Sequence, residues 1–196
     1  MTLVLASQSA SRRAMLDAAG VAYVAEPAHV DEDGVKAAMA GQPARDVADA
    51  LAELKALKVS QAHPTALVLG SDSIVALADG TLLDKPVSRE EATAHLRAMS
   101  SGTHDLWSAA VIVEGGHPVW RHVERARLHV RPLSDDFIAA YLDAEWPAIA
   151  GCVGCFRIEG IGVQLFSRLD GSQFTILGMP LLPVLDYLRV RGEMMA

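Results

Sequence analysis

The sequence predicts an α/β fold, a mixed β-sheet flanked by helices. Three observations predict it: short apolar runs of strand length, amphipathic stretches at helical spacing between them, and glycine-containing turns that join some strands directly.

Each element follows from its own signal. "TLVLAS" predicts a short buried strand, followed by a serine loop and a helix from about Ser11 to Ala19 that Gly20 ends. "VAYVAEPAHVDEDG" predicts a second strand running into an acidic loop. Val47, Leu51, Leu54 and Leu57 recur at helical spacing and predict an amphipathic helix over about 43–62. "TALVLGSDSIVALADGTLLDKP" reads as a strand, a turn and a returning strand, with Asp79-Gly80 as the hairpin signal. A helix over Ser88–Met99 is followed by two long strands, "LWSAAVIVEGGHPVWRHVERARLHV", joined at Gly115-Gly116. Ser134 caps the next helix, "GVQLFSRLDGSQFTIL" suggests a second hairpin, and a last helix spans about Pro180 to Val190 with Pro180 at its first position.

Composition narrows the function classes. A chain of 196 residues with a net charge of -7 lacks the clustered positive charge that coats a nucleic acid. No apolar run reaches the roughly 18–20 residues of a membrane span, and no leader pattern precedes the first strand, so neither a nucleic-acid nor a membrane partner is expected and a cytoplasmic location is. Cys152 and Cys155 form a single C-x-x-C; without a second pair or an H-x-x-x-H spacing, ordinary buried thiols are expected in preference to a zinc or redox site.

Two places point to chemistry. Arg12 and Arg13 stand in the first turn of the first helix, the wrong end for positive charge. An anion held by the helix N-terminus, the two guanidinium groups and the hydroxyls of Ser7, Ser9 and Ser11 would offset that cost, and phosphate suits those donors. The alternative is that both arginines point to solvent and the serines merely cap. The second place is the hairpin. With Asp79 and Gly80 as the two central turn residues, Lys85 lies opposite Ile74 and becomes a diagonal neighbour of Asp72, roughly 7–8 Å away. Asp72 follows the apolar "ALVLG" and is expected at the carboxyl end of a buried strand, where α/β sheets open their clefts. A catalytic pair and a plain surface ion pair both stay open on this pattern.

"LASQSASRR", "VDED", "LAELKA", "GSDSIV", "LDKP", "SGTH", "GCFRIEGIG" and "LGMPL" fall in the order and spacing of the Maf family of nucleoside triphosphate pyrophosphatases, and the resemblance spans nearly the whole chain. It implies a single domain over 1–196, two-lobed around a central cleft. It also implies hydrolysis of a nucleoside triphosphate to the monophosphate and pyrophosphate with a divalent cation, Mg²⁺ or Mn²⁺, and a homodimer. Carried across by position, Asp72 matches the family's proton acceptor and Lys85 its lysine, Glu32 and Lys55 match further cleft positions, and Arg12 and Arg13 match its triphosphate contacts. Glu32 and Asp72 would hold the metal through hard oxygen ligands. For Lys55 the competing expectation is a stem laid on the core with its charge in water.

Ser11, Ser73 and Glu159 match the positions that tune base choice. A carboxylate at Glu159 only accepts hydrogen bonds and suits the adjacent N1–H and N2–H₂ of guanine. This makes the chain resemble the 7-methyl-GTP pyrophosphatase branch, although that branch carries tryptophan at Ser11 and glutamine at Ser73. The alternatives are a dTTP or UTP pyrophosphatase of the same family and, in another class, a nucleotide-binding regulator of septum formation that does not turn over.

Overall fold

A computed structural model describes residues 2–195. A mixed sheet of parallel and antiparallel strands flanked by helices forms the protein, as the sequence predicts. The chain divides into two compact units. The first comprises the stretch ending at Ser73, Trp107–Glu124 and the stretch beginning at Ser172; the second comprises Ile74–Leu106 and Arg125–Gly171.

In the first unit, β1 (Leu3–Leu5) runs parallel to both β2 (Tyr23–Ala25) and β3 (Leu67–Leu77), with Leu3 opposite Tyr23 on one side and Leu67 on the other. The order continues from β3 to β5 (Thr103–Glu114) and β6 (His117–Val130), which meet at Gly115-Gly116 as expected. The core of this unit combines Leu3, Leu5, Leu67, Leu69 and Ile112 from the strands with Leu16 and Leu188 from two helices, all essentially inaccessible to water. Those helices are α1 (Ala10–Ala18) and α7 (Leu181–Val190). The helix α3 (Ala44–Ser60) buries Val47 and Leu51 of the predicted stripe and leaves Leu54 and Leu57 half-buried.

In the second unit, β4 (Leu82–Leu83) pairs antiparallel with β3, and β7 (Phe166–Asp170) pairs antiparallel with β6. Ser88 and Ser134 cap α4 (Arg89–Met99) and α5 (Asp135–Glu145) by accepting hydrogen bonds from the backbone N–H of Glu91 and Phe137.

Several expectations need correction. The acidic "VDED" is not a loop: Asp31 accepts a hydrogen bond from the Gly34 N–H and caps α2 (Glu32–Ala38), whose acidic first turn complements the helix dipole. The second hairpin does not form, because β7 finds its partner in β6 and Ser172 opens the short α6 (Gln173–Ile176) instead of a turn. Pro180 precedes the last helix as its cap residue.

The first hairpin forms with a different register. Leu83 stands opposite Val75 and Leu82 opposite Ala76, so the loop holds three residues, 78–80. Gly80 at φ 89° supplies the left-handed residue that closes such a loop, and Asp79 Oδ1 accepts from the Thr81 N–H at 2.9 Å. A slip of one residue turns every position to the opposite face, and the paired segment stops at Leu83. Lys85 is therefore not opposite Ile74. Asp72 lies inside β3 and not at its carboxyl end, because buried Ile74 and Val75 continue the strand.

Candidate active site

The site in the first unit starts with the cap of α1. Ser9 Oγ accepts from the Arg12 backbone N–H, and Ser7 Oγ accepts from the Ser9 N–H at 3.2 Å. This turn sends Arg12 inward and leaves Arg13 exposed, with Ser11 half-buried just before them. Arg12 donates from Nε to the Gly178 carbonyl at 2.8 Å, from Nη2 to Ser73 Oγ at 3.1 Å and from Nη1 to Ser7 Oγ at 3.3 Å. The solvent-facing alternative is thus overturned for Arg12. Burial pulls its guanidinium below the usual arginine range, and the charges of Asp72 and Glu32 oppose that pull. Arg13 lines a surface depression of about 350 Å³ together with Ser7, Gln8, Ala25 and Pro27.

The second part of the site follows from Gly70. A Cβ there would lie 2.1 Å from the Ala52 carbonyl oxygen and 2.7 Å from the Ala56 nitrogen, so only glycine lets α3 sit this close to β3. Asp72 shares the face of Gly70 because strand side chains alternate, and Lys55 precedes Ala56 on the helix. The Lys55 ammonium consequently lies 2.5 Å from Asp72 Oδ1 and 2.6 Å from Glu32 Oε1, the latter at the start of α2. Lys55 is 7% and Asp72 6% exposed, which overturns the expectation of a wet lysine charge. An ammonium this buried needs its carboxylate partners, since an unpaired charge would be expensive.

Sequence reasoning missed the frame around these groups. The Gly178 carbonyl accepts from Arg12, from Ser71 Oγ at 3.1 Å and from Ser73 Oγ at 3.2 Å. Ser108 Oγ donates to the Thr175 carbonyl at 2.8 Å and lies 2.9 Å from Ser73 Oγ. Backbone carbonyls leave no residue-type signal, although "LGMPL" contains Gly178.

In the second unit, Lys85 and Glu159 both act electrostatically on the half-buried Cys152 thiol. Burial is the main cause of that thiol's upward shift; Glu159 adds to it and Lys85 opposes it. Buried Cys155 is pushed up to about 12, again mainly by burial, and its Sγ lies 3.4 Å from His95 Nδ1. Both thiols are free and carry the character of packed hydrophobes.

No three His, Cys, Asp or Glu side chains are grouped around a metal position among the described residues. Two carboxylates, Glu32 and Asp72, flank Lys55 among the described residues of the first unit. That donor set fits Mg²⁺ or Mn²⁺ bound jointly with phosphate oxygens, and does not make a closed all-protein cage.

Fold and site define an α/β protein with a cluster of two acids and two bases, buried Asp72, Lys55 and Arg12 with half-buried Glu32. The model of the family described as Maf-like protein matches residues 2–191. A protein of Sphingopyxis alaskensis named nucleoside triphosphate pyrophosphatase is 52% identical over 98% of each chain. Relatives of the same name from Ruegeria pomeroyi and Caulobacter vibrioides are 49% and 46% identical over 97% and 98% of this chain and 96% of their own lengths. The chain belongs to the Maf-like family.

Proposed function

We propose that the protein is a nucleoside triphosphate pyrophosphatase, cleaving its substrate to the monophosphate and pyrophosphate. The observation that carries this reading is the Glu32–Lys55–Asp72 cluster, with Lys55 and Asp72 buried, together with relatives that bear this name over nearly their full lengths.

Asp72 orients a water and takes its proton as the water oxygen bonds to the α-phosphorus; the bond from that phosphorus to the bridging oxygen breaks and pyrophosphate leaves. Lys55, itself held between Asp72 and Glu32, keeps Asp72 oriented and, with Arg13, Arg12 and Lys85, meets the negative charge that grows on the phosphoryl oxygens. Ser7 and Ser9 hold the loop that precedes the arginines and offer it to the phosphates. Glu32 and Asp72 would hold Mg²⁺ or Mn²⁺, which would supply further charge neutralisation. Among the base-tuning positions Ser11, Ser73 and Glu159, the last is the acceptor for a guanine edge, so 7-methyl-GTP or a related purine is the preferred substrate class in this reading. The enzyme acts as a soluble cytoplasmic homodimer.

Purified protein with Mg²⁺ is expected to release pyrophosphate from a panel of unmodified and 7-methylated triphosphates, and Asp72→Asn to lose at least a hundredfold in rate, in the range that general-base catalysis supplies. Full activity in Asp72→Asn would remove the aspartate from its role. Preference for dTTP or UTP would overturn the use of Glu159, and tight binding without turnover would favour the regulator.

A further inference from the structure

The turn that carries Glu159 is held by residues outside it. Within the second unit, the Gly160 N–H donates to the Arg157 carbonyl at 3.2 Å and closes a four-residue turn with Glu159 at its third position. The side chain of Arg157 leaves the turn and donates to Glu145 Oε2, from Nε at 2.9 Å and from Nη2 at 2.7 Å. Glu145 is the last residue of α5 and only 6% exposed, so its carboxylate is buried and its guanidinium partner fixed.

The backbone on the other side of the turn is equally confined. A Cβ on Gly162 would lie 2.6 Å from the Arg157 carbonyl oxygen and 3.0 Å from Tyr141 Oη, which leaves no room for a side chain. Tyr141 Oη in turn donates to the Cys155 carbonyl at 3.0 Å, so α5 grips the segment before the turn as well. Arg157 is the node: its side chain anchors on α5, its carbonyl closes the turn and its main chain packs on Gly162. Glu159 is also among the charges acting on Arg157.

We propose that Glu145 and Arg157 are a positioning pair that fixes the Glu159 turn, so that discrimination between bases depends on two residues that touch no base themselves. The proposal rests on the reading of Glu159 as the base-selecting residue. Relaxing the turn would let the Glu159 carboxylate sample orientations in which a two-point match to a base edge is lost, and a bidentate match depends on orientation.

The test compares kcat/KM for a purine and a pyrimidine triphosphate in the full-length protein and in Glu159→Gln, Arg157→Met, Arg157→Lys and Glu145→Gln. Expected is a shift of the purine-to-pyrimidine ratio in Arg157→Met of about fivefold or more toward that of Glu159→Gln, with kcat for the poorer substrate unchanged. Arg157→Lys should recover part of the ratio, and the Arg157→Met and Glu159→Gln effects should not add. Should Arg157→Met fail to fold, Glu145→Gln reads the same ratio, because the neutral amide keeps the size of Glu145 but gives up the charge-assisted grip on the guanidinium. An unchanged ratio in a folded Arg157→Met or Glu145→Gln, with a shifted one in Glu159→Gln, overturns this proposal alone. An unchanged ratio in Glu159→Gln overturns the base-selection reading and the proposal with it.

Discussion

His104 shows how much one side chain can set. It is 2% exposed, both ring nitrogens lack a partner among the described residues, and the ring lies about 6 Å from those of Phe156 and Phe166. Burial lowers its pKa from 6.5 to about 4. Between those values the unfolded chain takes up a proton that the folded chain refuses. Stability from this source is complete above pH 6.5 and is lost as the pH falls toward 4, to a total of about 3 kcal/mol. His104→Phe, which replaces the imidazole with a ring suited to its aromatic neighbours, should flatten the dependence of unfolding free energy on pH across that window. Urea denaturation at pH 7, 5.5 and 4.5 checks it, and parallel curves for the two proteins would show that His104 is not the group responsible.

At the scale of elements, the decisive contact is between α3 and β3. Gly70→Ala would drive a methyl into the Ala52 carbonyl and lift the helix that carries Lys55 from the strand that carries Asp72. Such overpacking costs about 1–3 kcal/mol, and a shift of even a fraction of an ångström opens the ion pair. Both the urea midpoint and pyrophosphate release should fall; activity retained at the original level would separate the site from this contact. Most elements were legible because their signals are local: a serine cap for α5, an apolar stripe for α3, Gly115-Gly116 for the turn between β5 and β6. The failures occur where one local signal serves two structures. Asp79-Gly80 fits a two-residue or a three-residue loop, Asp31 can end a loop or cap a helix, and Ser172 can turn a hairpin or open α6.

For the whole molecule, net charge governs behaviour that no single contact determines. The chain carries -7 at neutral pH and passes through zero near pH 5.4, so mutual repulsion between molecules vanishes there. A solubility minimum near pH 5.4 in a turbidity titration is expected. It should persist in His104→Phe, which distinguishes association of folded molecules from acid unfolding; its disappearance in that variant would assign both effects to the histidine. The candidate site was legible partly from the residues and partly from the resemblance. Arg12 stood out by its place in a first helical turn and Asp72 by its place after an apolar run, Lys55 and Glu32 came from matched positions alone, and the burial of Lys55 escaped because a lysine on an amphipathic helix reads as solvated. Ser108 and Thr175 were invisible for a different reason: their contribution comes from atoms that adjoin Ser73 in space alone, and Thr175 takes part through its main chain.

A carbonyl oxygen has two lone pairs, yet three donors converge on that of Gly178. One of them is always surplus. Exchange of Ser71 for another small residue therefore leaves the acceptor fully occupied and Arg12 seated on Gly178 and Ser73, so this corner of the protein can diversify during evolution without surrendering its anchoring cation.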